Sequence, residues 1–226
     1  TQIWIKLGAD KNGRITAAQM SLAYQAGAFP GSPVGAGIQN GLAAYKVENI
    51  EIDGYDVITN TQKMQSYRAP GQPPATFAVE GVIDELADQL GIDPLEFRLR
   101  NAVQEGDRMP NGVMYPRIAC VELEEAMKAH PHYSAPIEGP NRGRGISVAA
   151  RAIGGEGATP HVATISVNRN GTISLVTGSN DLSGTRTTVA MHAAEILGLE
   201  VEDVMSIVGD TDSAGWSGVA NGSKIT

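Results

Sequence analysis

The chain contains little cysteine. Cys120 is its one cysteine among 226 residues, so an internal disulfide is excluded, and so are the multi-cysteine sites of iron–sulfur clusters and structural zinc. A single thiol fits a reducing compartment. We therefore expect a cytoplasmic protein, or a periplasmic one if a signal sequence precedes Thr1.

Positive charge and long apolar runs are also scarce. The formal net charge is −8 at pH 7, which argues against nucleic acid and anionic membrane surfaces as partners, because both require a positive field on the protein. No apolar run approaches the roughly 20 residues of a membrane-spanning helix. The composition permits one large or two modest globular domains with a sizeable core.

The two ends of the sequence are unusual for a complete chain. Thr1 opens directly into the strand-like segment Ile3-Trp4-Ile5, and Thr226 follows a run of mostly small or polar residues. We therefore expect an internal piece of a longer protein. Apolar surface that neighbouring segments would cover should then be exposed, which favours a homo-oligomer.

Asn-Gly pairs between strand-like runs predict two β-hairpins. The first spans residues 3–20 and turns at Asn12-Gly13, and the second spans residues 162–176 and turns at Asn170-Gly171. Asn-Gly is typical of two-residue turns in which both residues take positive φ. Alternating apolar residues in the second hairpin predict strands buried on one face, formed by Ala163, Ile165, Val167, Ile173 and Leu175.

Helical periodicity predicts two longer helices, each ending at a glycine. The first covers residues 74–90 and ends at Gly91, and the second covers residues 187–197 and ends at Gly198. Their apolar stripes comprise Val79, Val82, Ile83, Leu86, Ala87 and Leu90 in the first and Ala190, Ala193, Ala194 and Leu197 in the second. Asp93-Pro94 predicts the start of a short helix, and residues 118–129 form a further one.

The order of these elements predicts an α+β fold, with helices packed on mostly antiparallel sheets. A hairpin, a glycine loop and an amphipathic helix occur in each half, so we expect two related subdomains. The first should cover residues 1–133. Residues 134–144, rich in Pro and Gly, should link it to the start of a second, truncated subdomain at 145–226.

Four loops combine glycine with hydroxyl, acidic or basic side chains and are candidate binding sites. They cover residues 66–72, 154–157, 178–187 and 221–224. Such loops at helix starts expose backbone N–H groups to an anion, and Arg68, Arg186 and Lys224 could add charge-assisted hydrogen bonds. The alternative is that these loops are caps and turns, because neither a Walker pattern nor a dinucleotide-binding glycine pattern is present.

Metal ligation and nucleophilic catalysis find little support in the spacing of residues. His130 and His132 lie two apart beside Pro131 without an obvious third ligand. Adjacent carboxylates such as Asp84-Glu85 cannot face each other on a helix. No Ser–His–Asp or Cys–His arrangement stands out, and we assign no metal-ligating residue.

An ordered series of motifs resembles one enzyme family. The run Ser66-Tyr67-Arg68-Ala69-Pro70-Gly71-Gln72 precedes a helix and then the pattern LGIDP.E.R..N, which begins at Leu90. The series continues in the second half with Asp181-Leu182-Ser183-Gly184-Thr185, Gly209-Asp210-Thr211-Asp212 and Asn221-Gly222-Ser223-Lys224. It is similar to the series in the molybdopterin-binding large subunits of the xanthine dehydrogenase and aldehyde oxidase family, the molybdenum hydroxylases, and it covers nearly the whole chain.

The resemblance implies a cofactor, a reaction and partners. The cofactor would be a molybdopterin dinucleotide, often its cytosine form, and the reaction would hydroxylate an aldehyde or N-heterocycle with oxygen from water. Electrons would leave through iron–sulfur clusters and FAD on partner subunits or domains. The positions that match cofactor-contacting segments of the family are Tyr67, Arg68, Ala69, Gly155, Ser183, Gly184, Thr185 and Ser223.

Two departures from the family pattern limit this expectation. The loop Ser183-Gly184-Thr185 is one residue shorter than the Gly-x-Gly-Thr of many members. The family's catalytic glutamate lies in a Gly-rich motif near the far C-terminal end, and the chain stops before such a motif. We therefore assign no catalytic residue and expect the chain alone to be inactive. A non-catalytic subunit that holds cofactor, or a structural one, is the alternative.

Overall fold

The computed structural model describes residues 1–64, 69–151 and 161–218. The chain divides into two compact units, Thr1–Ile153 and Gly154–Thr226. This division lies further along the chain than the expected linker 134–144, because the segment 146–150 packs on the first unit. Val148 contacts its core, and the Val148 N–H donates to Glu80 Oε2 over 3.0 Å. The subdomain bounds 1–133 and 145–226 stay a prediction.

The first unit is a three-stranded sheet covered by helices. Strand β1 (Gln2–Ala9) pairs antiparallel with β2 (Ile15–Gly27), which pairs in parallel with β3 (Asn49–Ile58). Helix α1 (Val34–Asn40) connects the parallel strands, and α2 (Gln72–Leu90) follows β3. The later helices are α3 (Pro94–Asn101), α4 (Cys120–Ala129) and α5 (Pro131–Ser134).

The second unit has the same sheet topology. Strand β4 (Ala163–Val167) pairs antiparallel with β5 (Ile173–Thr177), and helix α6 (Thr185–Leu197) connects β5 to its parallel neighbour β6 (Val204–Val208). The α+β class is confirmed, but each sheet is mixed rather than mostly antiparallel. The parallel pairs arise because a helix, and not a tight turn, joins the second strand of each sheet to the third.

The order of strands and helices shows which helices of the two units correspond. Helix α6 lies between the second and third strands of its sheet, as α1 does, whereas α2 comes after the third strand. The counterpart of α6 is therefore α1. The helices at 74–90 and 187–197, which resemble each other in sequence, thus occupy different places in the topology, because periodicity alone does not fix the place of a helix.

Both predicted hairpins are confirmed, with a different turn. The Asp10 N–H donates to Arg14 O, and the Gly13 N–H donates to Asp10 O, each over 2.9 Å. Equivalent bonds close the second turn. Only the glycines take positive φ, 80° at Gly13 and 85° at Gly171. Each connection is thus a three-residue loop, a type I turn closed by a left-handed glycine, and the predicted positive φ of the asparagines is wrong.

The predicted helices form close to their expected bounds. Helices α2 and α6 both end at a left-handed glycine, Gly91 (φ 64°) and Gly198 (φ 69°). The Asp93 carboxylate caps α3 by accepting hydrogen bonds from the N–H groups of Leu95 (2.9 Å) and Glu96 (3.0 Å). None of the helices in the described ranges is both long and apolar enough to span a membrane.

Two burial predictions are wrong in the second unit. All five residues of β4 are exposed, including Ile165 and Val167, and Leu197 of α6 is exposed as well. The small core of this unit lies between α6 and the other two strands, where Ala190 and Ala194 pack with Leu175. Because α6 packs on β6, β4 lies outside this core.

Candidate functional site

The residues expected at the cofactor fall into two groups. Outside the described residues lie Tyr67, Arg68, Gly155 and Ser223. The structure describes the other four, which are Ala69 in the first unit and Ser183, Gly184 and Thr185 in the second. Each unit therefore carries a candidate binding surface of its own.

In the first unit, the chain enters α2 through residues with left-handed backbone. Ala69 has φ 55° and Gly71, at the helix N-cap, has φ 77°. The Tyr24 hydroxyl donates to Gly71 O over 2.7 Å, and a Cβ at Gly71 would overlap the Pro33 carbonyl oxygen. These contacts fix the loop against β2 and the start of α1.

The first turn of α2 offers fewer N–H donors than a helix start normally does. The Gln72 N–H donates to Ala69 O over 3.3 Å, and the next two residues, Pro73 and Pro74, have no N–H. An anion at the first turn of α2 would therefore need contacts from side chains and from the helix dipole. Residues 66–68 of this loop lie outside the described residues, so the expectation that the loop exposes backbone N–H groups to an anion stays a prediction.

A cavity of about 820 Å³ opens beside Ala69 and follows α2. Its walls are α2 and the segment 146–149, and the Gln72 Nε2 donates to Ala150 O over 3.1 Å, which ties the two walls together. The Thr76 hydroxyl on the cavity wall is buried and has no hydrogen-bond partner among the described residues. A polar ligand group could satisfy it.

A buried ion pair holds this cavity in shape. Arg98 is fully buried and donates to Glu80 Oε2 from Nε (3.0 Å) and Nη2 (2.8 Å). Glu80 also accepts hydrogen bonds from the Tyr45 hydroxyl and the Val148 N–H. The pair thus joins α2, α3 and the segment 146–150. The pattern LGIDP.E.R..N contains Arg98, but nothing in its spacing predicts burial of the charge.

In the second unit, two loops meet at the carboxyl ends of the parallel strands. The chain continues after β5 into Gly178 and Ser179, and after β6 into Gly209 and Asp210. Ligands commonly bind at this edge of a sheet, where the crossover helix also begins. A Cβ at Gly178 would lie 2.5 Å from Gly215 O, so glycine is required for this close approach.

The loop before α6 leaves one of its expected residues open to a ligand. Ser183 and Gly184 have φ 57° and 83°, and no side chain caps the helix. The Thr185 hydroxyl donates to Leu182 O over 2.7 Å, so this donor is used within the loop. Ser183 is exposed and is the hydroxyl of this loop best placed to contact a ligand.

Arg186, which was expected to attract an anion, is paired within the loop. Its backbone N–H and Nε donate to the Asp181 carboxylate over 3.2 and 3.3 Å. Asp210 adds a second carboxylate at this edge, and hydrogen bonds from the Ser213 hydroxyl and the Asp212 N–H hold its pKa below the usual value. The edge therefore accepts hydrogen bonds more readily than it binds a bare phosphate.

Ser179 lies in the candidate loop 178–187, but it was not among the residues matched to the cofactor. It is 2% exposed, and its hydroxyl has no partner among the described residues. An unsatisfied buried hydroxyl costs about 1–3 kcal/mol, so a polar group that reached it would remove this cost. A serine in a loop of glycine and polar residues has no periodic pattern that could have indicated its burial.

The histidines and acidic residues of the structure show no metal site. Within residues 1–64, 69–151 and 161–218, no group of three or more His, Cys, Asp and Glu could hold a metal ion. His130 has a local structural role instead, because its Nδ1 accepts a hydrogen bond from the His132 N–H over 3.1 Å and caps α5.

Comparison with known proteins identifies the class of both halves. The model of a molybdopterin cofactor-binding domain matches residues 1–102, and a second model with the same description matches residues 121–226. The chain is thus composed of molybdopterin cofactor-binding domains.

Three relatives narrow this class. The chain is 30% identical to the aldehyde oxidoreductase molybdenum-binding subunit PaoC of Escherichia coli, over 95% of the chain and 30% of that protein. It is 29% identical to the probable hypoxanthine oxidase XdhD of the same species, over 94% of the chain and 24% of that protein. The crystal structure of an aldehyde oxidoreductase from Desulfovibrio desulfuricans matches with a TM-score of 0.79 and 27% identity, over 96% of the chain and 26% of that structure.

The chain belongs to the family that its motifs resemble, the molybdenum hydroxylases of the xanthine dehydrogenase and aldehyde oxidase type. It spans about a quarter to a third of the length of these relatives.

Proposed function

We propose that the chain forms part of the binding surface for a molybdopterin dinucleotide in a molybdenum hydroxylase. The observation that carries the proposal is a pair of buried hydroxyls without partners among the described residues, Thr76 in the first unit and Ser179 in the second. Each lies near a loop that matches a cofactor-contacting segment of the family. A pterin and a dinucleotide are rich in the polar groups that such hydroxyls need.

In the first unit, side chains would make the contacts. Pro73 and Pro74 remove backbone donors at the start of α2, so the Arg68 guanidinium would donate charge-assisted hydrogen bonds to phosphate or pterin oxygens. Thr76, whose hydroxyl is buried, lines a cavity that begins at the neighbouring Ala69. This combination supports the binding of an extended anionic group along the start of α2.

In the second unit, the carboxylates favour a different part of the cofactor. Asp181 and Asp210 would accept hydrogen bonds from an exocyclic amino group or a ribose hydroxyl, and acidic side chains pair well with the amino group of cytosine. Ser183 and Ser179 would add hydroxyl contacts. Such contacts suit the cytosine form that the resemblance implies, although adenine and guanine also carry exocyclic amino groups.

The cofactor, when bound, would supply the oxidation of an aldehyde or N-heterocycle with oxygen from water. The residues of this chain would bind and orient it, and we assign none of them as catalytic, so the chain alone should be inactive. Electrons would pass to iron–sulfur and FAD partners. The oxidase and oxidoreductase names of the relatives support this reaction class.

Metal and nucleotide analysis of the complete gene product, purified with its neighbouring subunits, tests the proposal. We expect stoichiometric molybdenum and release of CMP on acid hydrolysis. Arg68→Met should lower both, whereas Arg169→Met, in the exposed turn between β4 and β5, should change neither. A complex with intact iron–sulfur clusters but without molybdenum and CMP would contradict the proposal and favour a non-catalytic subunit.

A further inference from the structure

The two sheets share one topology but differ in how helices cover them. In the first unit, α1 packs on β3 and α2 packs on β1, and the two helices also contact each other. In the second unit, α6 packs on β6, as its counterpart α1 packs on β3. Among the described residues, no helix follows β6 in the way that α2 follows β3.

Strand β1 holds the same place in the first sheet as β4 holds in the second, and a helix covers it. Its residues Ile3, Ile5 and Leu7 share one face and pack against the core cluster that contains Val79 and Ile83 of α2. The helices and most of the apolar core lie on the face of the sheet to which these three side chains belong. An equivalent helix in the second unit would cover β4.

The apolar residues of β4 lie on the helix-bearing face of their sheet. Ile165 is paired with Leu175 and Val167 with Ile173, and side chains of directly paired residues lie on the same face. Leu175 and Ile173 are buried against α6, whereas Ile165 is 49% and Val167 76% exposed. Ile165 and Val167 therefore extend the apolar face that α6 covers on β5, but no helix among the described residues covers them.

The neighbouring helix has an exposed apolar residue as well. Ile196 of α6 is 84% exposed, and a helix over β4 would lie beside α6, because α2 lies beside α1 in the first unit. Branched aliphatic side chains on an edge strand favour self-association unless the native fold covers them. The exposure thus indicates a docking surface.

We propose that the helix-bearing face of β4 is the docking site of an amphipathic helix that follows β6 in the same polypeptide, as α2 follows β3. Its apolar stripe should resemble that of α2, where Val79, Ile83 and Ala87 recur every four residues and are fully buried. The relatives are three to four times as long as this chain, which leaves room for such a helix. The inference is independent of the cofactor.

Photo-crosslinking in the complete polypeptide tests this proposal. A photoreactive phenylalanine analogue at Ile165 or Val167 should crosslink within the same chain, C-terminal to β6, and the crosslinked residues should recur every three or four positions, as on a helix. The same analogue at Arg169, in the exposed turn next to β4, should not crosslink to that segment.

Cysteine labelling gives an independent measurement. In the complete polypeptide, V167C should react with a water-soluble maleimide at least about tenfold more slowly than R169C, because a docked helix protects it. The complete polypeptide without an introduced cysteine gives the background, to which the buried Cys120 should add little. Equal labelling rates would overturn the proposal. So would crosslinks to residues 1–151, to a second copy of the chain or to another protein, or crosslinks that recur every two residues.

Discussion

At the residue scale, Arg98 stabilises the first unit through its charge. Besides its bonds to Glu80, its Nη1 donates to Pro94 O over 3.0 Å, and its Nη2 lies 2.8 Å from an oxygen of the half-exposed Asp84. Every polar group of the guanidinium that faces the core thus has an acceptor. Such a pair is sensitive to the loss of either partner, because the remaining charge cannot regain water.

Arg98→Met should therefore lower the free energy of unfolding by about 3–5 kcal/mol, since the buried Glu80 would lose its positively charged partner. Urea denaturation measures the change. Arg142→Met, at an exposed position, should change stability by less than about 0.5 kcal/mol. If the two variants were equally stable, the ion pair would not be required for the fold.

Glu124 on α4 is a second buried carboxyl group, with fewer partners than Glu80. It is 3% exposed, its Oε2 has no partner among the described residues, and its Oε1 lies 3.6 Å from the Cys120 thiol. Burial raises its pKa to about 7, and the negative charge of Glu80 adds to the rise, against opposite effects of Cys120 and Arg98. The folded state therefore favours the neutral acid below about pH 7.

This shift predicts a pH dependence of stability. The unfolded carboxyl has its ordinary pKa of 4.5, so the stabilising effect of the neutral acid is complete below that pH and is lost as the pH rises to about 7. The loss should be roughly 3 kcal/mol. Urea denaturation between about pH 5 and pH 8 should show this slope in the native chain.

Two matched variants isolate the contribution of Glu124 to that slope. Glu124→Gln should remove it, because an amide does not titrate. Glu122→Gln, an exposed neighbour on the same helix, should preserve it. A slope that survives in Glu124→Gln would assign the pH dependence to other groups.

At the scale of the element, strong local patterns predicted structure well and tertiary contacts decided the rest. The stripe of Val79, Ile83 and Ala87 and the terminal Gly91 predicted α2, because both signals lie within the helix itself. The turn type was not predictable from Asn12-Gly13, because the pairing of β1 with β2 sets the loop length and includes a register shift at Gly8/Ala9. The exposure of β4 depends on which helix covers it.

The entry into α2 provides a test of element geometry. Gly71→Ala should lower the free energy of unfolding by more than about 2 kcal/mol, because the new methyl group would overlap Pro33 O in addition to straining a left-handed residue. Gly91→Ala, at the other end of the same helix, has a similar φ and no neighbour within 4 Å. Gly91→Ala should lower the free energy of unfolding only by the backbone strain, about 1–2 kcal/mol.

Thermal unfolding of the two variants gives the comparison directly. The difference between them measures the steric contact of Gly71 with the start of α1, since the helix and the backbone conformation are shared. Equal losses of stability would mean that the loop moves away from Pro33 without cost and that its position is not fixed.

At the scale of the whole molecule, the ordered motifs predicted the family, whereas the chemistry of each surface needed the fold. Two prolines after Gln72 are visible in the sequence, but their effect on donors at the start of α2 follows only once the helix bounds are known. The pairing of Arg186 with Asp181 depends on the backbone of the loop before α6. Arg68 remains a predicted cofactor residue from the resemblance alone.

Ser179 connects the stability of the molecule to its proposed cofactor. Ser179→Ala removes a buried hydroxyl that has no partner among the described residues, so the cofactor-free protein should be as stable as before or more stable by about 1 kcal/mol. The same change should reduce the CMP and molybdenum content of the assembled complex, because the cofactor loses a hydrogen bond. Ser166→Ala, on the exposed strand β4, should change neither quantity. Reduced stability together with unchanged CMP content would mean that Ser179 serves the fold, for instance through a buried water, and not the cofactor.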